Sequence, residues 1–361
     1  MQHGTNVNMP NKGGGWMDQR LSEAFAHQAR ACEALGSPFT ALLMQVIAQV
    51  WPDKTRLSRQ VAGWPGDIGP SAASLPLRIA GGLHDLVLTQ ADMGLMQVYP
   101  PQSAEPADLA QAVGAALHTH DDRLCDWVRT TPQTNEVGRS AVLLAAAPAL
   151  AAHFGLPIIL SELGASAGLN LWFDRYALMV PGGQIGTVES RVCLSPDWRS
   201  LAPAPGLFTI SARRGVDLNP LDPQRDGLRL MAFVWPDQHA RLARLRAALA
   251  QAEAGCVDMG DAADWLEARL ARGWDGALHL VYHTIAHQYF PAETQTRIAA
   301  AMERAGAKAT KAAPLAWMGM EADGQGEGAS LTLRLWPGDV GITLGRAGFH
   351  GQWLDWRGFG G

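Results

Sequence analysis

The chain has 361 residues, of which 47% are hydrophobic and 17% charged, with a formal net charge of −5 at neutral pH. That length suits two domains rather than one, and the composition supplies a packed core, which excludes general disorder. No basic patch interrupts the acidic balance, so nucleic-acid binding has no electrostatic footing.

The four cysteines, Cys32, Cys125, Cys193 and Cys256, lie far apart and form no CxxC pair. They read as reduced thiols of a cytoplasmic protein, and neither a zinc knuckle nor a redox motif is expected. His283 and His287 stand four residues apart, but without an H-E-x-x-H pattern, and no metal site is expected.

Residues 1–16 are rich in Gly and Asn and lack an apolar stretch, which predicts a disordered tail rather than a signal peptide. Residues 17–155 read as a helical domain. A first amphipathic helix spans 21–35 and stops at Gly36. Ser37 and Pro38 open the next, as N-cap and first helical residue. Further helices are predicted over 75–90, interrupted at Gly81-Gly82, over 106–129 and over 136–154, with turns at 63–70 and 99–106. Residues 141–160 are nearly all apolar. Pro148, Gly155 and Pro157 divide them into a buried helix, a turn and a strand, not a membrane span.

The pattern changes at Pro157. Strands are predicted at 156–160, within 206–216, at 256–257, 276–283, 315–320, 331–336 and 341–344. Helices alternate with them at 236–254, 262–271 and 291–305, and 323–329 reads as a hairpin-like tip. Such alternation over 156–361 predicts an α/β domain with a mostly parallel sheet and an antiparallel C-terminal edge. Residues 172–205, centred on Pro181-Gly182-Gly183, read as an inserted hairpin.

The sharpest local signal is Ile158-Ile-Leu-Ser-Glu162-Leu-Gly164-Ala-Ser166-Ala-Gly168-Leu-Asn170. A buried strand ends in a carboxylate, a turn of small residues follows, and a helix is expected to open. Glycines allow close backbone approach, and a helix N-terminus offers free N–H groups. Asp217 ends the next long strand, where it suits a ribose diol. Met259-Gly260-Asp261-Ala262 ends another, where a carboxylate suits an adenine amino group. Tyr282 and His283 end the fourth strand, with His287 just beyond, and a histidine there suits a general base.

This order of motifs resembles class I S-adenosylmethionine-dependent methyltransferases over about residues 160–290. The resemblance implies a Rossmann-like domain that binds S-adenosylmethionine through Glu162, Gly164, Ser166, Gly168, Asn170, Asp217, Asp261 and Ala262. It implies a small-molecule acceptor, with His283 and Tyr282 as catalytic residues. Arg78, Asn135, Glu136, Arg139 and His287 are the candidate acceptor contacts, carried largely by the helical cap. Two departures stand out: residues 172–205 separate Asp217 from the glycine turn, and Val281-Tyr282-His283-Thr284 stands where many family members carry an Asp or an Asn-Pro-Pro-Tyr sequence. Over nearly its whole length the chain also resembles a bacterial family of unknown activity. The resembling segments are Pro76-Leu-Arg78-Ile-Ala-Gly-Gly-Leu-His84, Thr134-Asn135-Glu136-Val-Gly138-Arg139, the glycine turn, Trp235-Pro236-Asp237-Gln238 and His350-Gly351.

Gly164-Ala-Ser166-Ala-Gly168 also fits G-x-S-x-G, the nucleophile elbow of α/β-hydrolases. In that alternative Ser166 is the nucleophile, with Asp261 and one of His283, His287 or His350 completing a triad. A third reading is a non-catalytic nucleotide-binding protein on the same fold. Oligomeric state is not legible.

Overall fold

A buried apolar run flanked by helix stops dictates a helix–turn–strand, and residues 140–163 adopt one. The computed structural model describes residues 17–70 and 72–360, so the expected tail at 1–16 lies outside the described residues. A helix spans Ser140–Phe154 with Pro148 inside it, and Gly155 ends it in the left-handed conformation. Glycine adopts that conformation without a Cβ penalty. Strand β1 (Ile158–Leu163) follows. The helical run Val137–Phe154 is apolar and long enough to cross a membrane by composition, yet it is mostly buried within the protein.

The chain divides into two compact units, one of residues up to Thr134 with Leu228–Leu242, the other of Asn135–Gly227 with Ala243–Gly361. The sequence had placed residues 135–155 with the helices; they pack instead with the sheet-bearing unit.

The helical unit contains Gln19–Ala34, Pro38–Gln49, Leu75–Leu88 and Pro106–Thr119 among its helices. Leu75–Leu88 runs through Gly81-Gly82 without a break. The glycines serve packing: a Cβ on Gly81 would meet Phe233 at 2.8 Å, and one on Gly82 would meet Leu124 at 2.8 Å. The helix predicted over 106–129 is divided at His120, whose imidazole pairs with Asp92 at 3.0 Å. The Ser37 start is completed from far along the chain: Asp237 accepts from the Phe39 amide at 3.0 Å and from the Ser37 hydroxyl. Asp237 thus caps an orphan amide of a distant helix, a bond of about 1 kcal/mol.

In the sheet-bearing unit, β2 (Ala177–Val180), β3 (Gly183–Gly186) and β4 (Cys193–Leu194) make a small separate sheet. They occupy the predicted insertion, with β2 and β3 forming its hairpin. The remaining strands are β5 (Asp197–Trp198), β6 (Ile210–Asp217), β7 (Val257–Met259), β8 (Leu278–Thr284), β9 (Leu315–Glu321), β10 (Ala329–Trp336), β11 (Val340–Ala347) and β12 (Trp353–Trp356). With β1 they form one sheet in the order β5-β12-β11-β10-β9-β8-β1-β6-β7. From β7 to β9 every pairing is parallel, and β9 through β12 pair antiparallel. The expected mostly parallel sheet with an antiparallel edge is therefore present; β12, with its Trp353 and Trp356, went unread.

Beneath the sheet, buried Ser161 of β1 takes a hydrogen bond from the Arg269 guanidinium and bonds His279 Nε2 of β8 at 2.7 Å. Burial first, then the Arg269 charge, holds the His279 pKa down to about 3, against 6.5 for a free histidine. The unfolded chain therefore binds a proton between those values that the native chain refuses. Stability from this group is complete above pH 6.5 and is lost as pH falls towards 3. His279→Leu removes that proton uptake. In urea titrations it is expected to cost about 1–3 kcal/mol at pH 7.5 through the orphaned Ser161 hydroxyl, and to lessen the loss of stability between pH 6 and 4. An unchanged acid slope contradicts the assignment.

Candidate functional site

Strand order locates the crevice. From β1 the chain builds outwards through β6 and β7, then returns to the other side of β1 with β8 and β9. The chain thus leaves β1 and β8 in opposite directions at their carboxyl ends, the kind of switch point where open α/β sheets bind ligands.

Glu162 and Tyr282 face each other across this point as register partners. The Tyr282 hydroxyl donates to Glu162 Oε2 at 3.3 Å. Asn170 is its other hydrogen-bond partner. Glu162 is only 2% exposed, and burial pushes its pKa up to about 8 despite those two donors. Burial and the Glu162 charge likewise push the Tyr282 phenol well up, so it serves as a donor. Asn170 accepts from Ser140 Oγ at 2.7 Å, and Asn135 Oδ1 accepts the Leu169 amide at 2.9 Å. The polar run at 134–140 and the glycine turn, distant in sequence, thus form one bonded cluster around Glu162.

The turn itself is held by its own chain. The Gly164 and Ala165 amides donate to Val216 O, at 2.9 and 3.0 Å. The Ser166 amide donates to Asp217 Oδ2 at 2.8 Å, while Asp217 Oδ1 takes the Asn219 amide at 2.9 Å. Gly164, Ser166 and Gly168 all have positive φ. A Cβ on Gly164 would stand 2.5 Å from the Ala286 methyl, and one on Gly168 would stand 2.8 Å from Val257. These glycines admit the chain's own side chains, not an open cradle.

No α-helix opens after the turn. Residues Leu169–Arg175 form a kinked 3-10 stretch. The Leu169 carbonyl is taken by the Tyr176 hydroxyl and the Leu171 carbonyl by Arg213, both at 2.7 Å, which removes acceptors a helix would need. The expected dipole site is therefore absent from this turn.

Other candidates separate. Asp261 caps the helix Ala262–Leu270, taking the Ala263 and Asp264 amides, and also bonds Thr294 Oγ1 at 3.2 Å. Ala262 is the buried first residue of that helix. Beside these acids, Leu218 and Met259 are 72% and 74% exposed at the carboxyl ends of β6 and β7. Glu136 holds the Gly138 amide at 2.9 Å and pairs with Arg244 at 3.3 Å. Arg139 donates to the carbonyls of Thr284 and Phe349, at 3.0 and 2.9 Å. Arg78 belongs to the helical unit, where it binds the carbonyls of Ala73, Val128 and Arg129.

His283 follows Tyr282 in a strand, so its side chain faces the opposite side of the sheet. There Nδ1 lies 2.7 Å from Glu321 Oε1, and the Trp317 indole donates to Nε2 at 3.1 Å. An indole N–H only donates, so Nε2 accepts and the ring proton sits on Nδ1, directed at Glu321. The lone pair that a general base needs is occupied, and Tyr282 and His283 do not converge on one atom. Glu321 also takes the amides of Ala286, His287 and Gln288. The sequence reading missed Glu321, although a carboxylate ending a fifth parallel strand was visible. Burial, then His283, lowers the His287 pKa to about 4. The hydrolase triad is not assembled: Ser166 Oγ is buried without a hydrogen-bond partner. Among the described residues no cluster of three His, Cys, Asp or Glu side chains suits a metal ion.

Glu162 gives the cluster a pH signature. Native Glu162 keeps its proton up to about pH 8, while an unfolded glutamate releases it above 4.5. Stability therefore falls by about 1.4 kcal/mol per pH unit across that window and levels off above it. Glu162→Gln is expected to flatten this fall in denaturant titrations from pH 5 to 8.5. A variant with the wild-type slope refutes a proton-bearing Glu162.

No curated protein and no solved structure matches the chain. A family model does match, over residues 22–356, and spans both units, the glycine turn and the C-terminal segment that packs on Gly138. The chain therefore belongs to the family described as an uncharacterized protein conserved in bacteria, DUF2332.

Proposed function

We propose that the sheet-bearing unit binds S-adenosylmethionine at the carboxyl ends of β1, β6 and β7 and passes its methyl group to a small-molecule acceptor. The observation that carries this reading is the exposed pair Leu218 and Met259, set beside Asp217 and Asp261 at the ends of adjacent parallel strands. Large apolar side chains held in water beside carboxylates suit a flat, amino-bearing ring with a polar sugar. The parallel strands, counted as they appear, run 3-2-1-4-5, the order of doubly wound dinucleotide-binding sheets, which supports a Rossmann-like assignment.

The residues fit the adenosine half of the cofactor. A carboxylate has about four acceptor sites, so Asp217 keeps capacity for a ribose hydroxyl beyond its two amide bonds. Glu162 is the one acid of the three with no backbone donor among the described residues; it is protonated at neutral pH, and release of that proton would supply counter-charge to a cationic end. The glycine turn fits less well, being filled by Ala286 and Val257. When bound, the cofactor supplies an electrophilic methyl group. The chain's part is positioning, which is the main requirement of an in-line transfer. Proton removal by His283 is not part of the proposal, because its lone pair is committed to Trp317.

Isothermal calorimetry with S-adenosylmethionine, S-adenosylhomocysteine and NAD tests the class. Both adenosyl ligands are expected to bind at one site per chain and NAD is not. Leu218→Asp and Met259→Asp are each expected to weaken binding at least tenfold with little change in thermal stability, since both side chains are exposed. Absence of adenosyl binding, or binding indifferent to both substitutions, sinks the reading.

One observation favours a second reading. Ser166 has φ +55° between two positive-φ glycines, the strained backbone of a nucleophile elbow, although its hydroxyl is buried and meets no histidine. A fluorophosphonate probe separates the two: labelling that is lost in Ser166→Ala supports a serine hydrolase, and the absence of labelling removes it.

A further inference from the structure

The face of the sheet turned away from Glu162 has a cavity of ≈ 380 Å³ over β8 to β11. Its wall is aromatic. His283 and His287 stack with centroids 4.7 Å apart, and the Trp317 ring meets both edge-on, at 6.0 and 6.3 Å. Its floor is polar and open. Thr332 and Thr343 pair across β10 and β11 with their hydroxyls unbonded within the described chain. Gly341 adds no side chain, and a Cβ built there meets nothing within 4 Å.

We infer that this cavity is a binding site for a small uncharged aromatic alcohol, which lays its ring against Trp317 and the histidines and its hydroxyl on the threonines. Aromatic walls favour an aromatic ring in edge or offset contact. Two free hydroxyls supply one donor and one acceptor for a ligand hydroxyl. The nearby cation does not recruit an anion, because Arg334 is already paired with Asp339 and Glu303. His287, held neutral by burial, adds no charge. The site lies on a different face from the proposed adenosine site, and its existence does not depend on methyl transfer.

The test uses the full chain, with phenol as probe and cyclohexanol and benzoate as controls, followed by amide NMR shifts. Phenol is expected to shift Gly319, Thr332 and residues 341–343. Cyclohexanol is expected to bind at least tenfold more weakly, and benzoate not to bind. Gly341→Leu fills the space and is expected to abolish the phenol shifts, while Gly341→Ala keeps them. Thr332→Val with Thr343→Val, exposed and isosteric, is expected to weaken phenol at least fivefold without loss of folding. Absence of phenol shifts, shifts that survive Gly341→Leu, shifts indifferent to the double threonine variant, or equal binding of benzoate each overturns the inference.

Discussion

A buried carboxyl group held by a phenol and an amide is the constraint around which the sheet-bearing unit is arranged. Glu162 stands where β1 meets β8, and its two neutral donors come from Tyr282 and Asn170. Removing an ionised carboxylate from water without a cation is costly, and the group responds by keeping its proton. Tyr282 is fixed by strand register, and Asn170 is fixed by Ser140. Asn135 then anchors the chain between them at Leu169. The turn at 164–168 owes its shape to this cluster on one side and to Asp217 on the other.

Two faces of one strand have separate chemistry as a result. Alternation along β8 sends Tyr282 to the Glu162 cluster and His283 to the cavity behind the sheet. There Glu321 accepts hydrogen bonds from His283 Nδ1–H and from three successive amides, fixing residues 286–288. The same loop sets Ala286 against Gly164, so the two faces share a mechanical link. Loop placement, not proton transfer, is the role this geometry gives His283.

The fold was legible where periodicity and breakers agree. Gly36 and Gly155 end helices as their sequence positions imply, and the strands at 315–320, 331–336 and 341–344 occur within β9, β10 and β11. Legibility failed where distant partners decide. Gly81-Gly82 reads as an interruption until Phe233 and Leu124 are brought against it. The helix expected after Gly168 is pre-empted by Tyr176 and Arg213, which claim its carbonyls. Asp237, far along the chain, caps a helix that begins near residue 38. The polar run at 134–140 was easier to pick out than its contacts: Asn135, Glu136 and Arg139 do gather by the turn, but they hold backbone groups, and sequence does not reveal which partner a side chain will meet.

The most direct test is the carbon-13 titration of the Glu162 side-chain carboxyl, in the free chain and with saturating S-adenosylmethionine. A midpoint near pH 8 in the free chain, falling by at least one unit when the cationic ligand is present, is the result expected of a neutral acid awaiting a positive charge. A midpoint near 4.5 in the free chain, or one that the ligand leaves unmoved, contradicts the account.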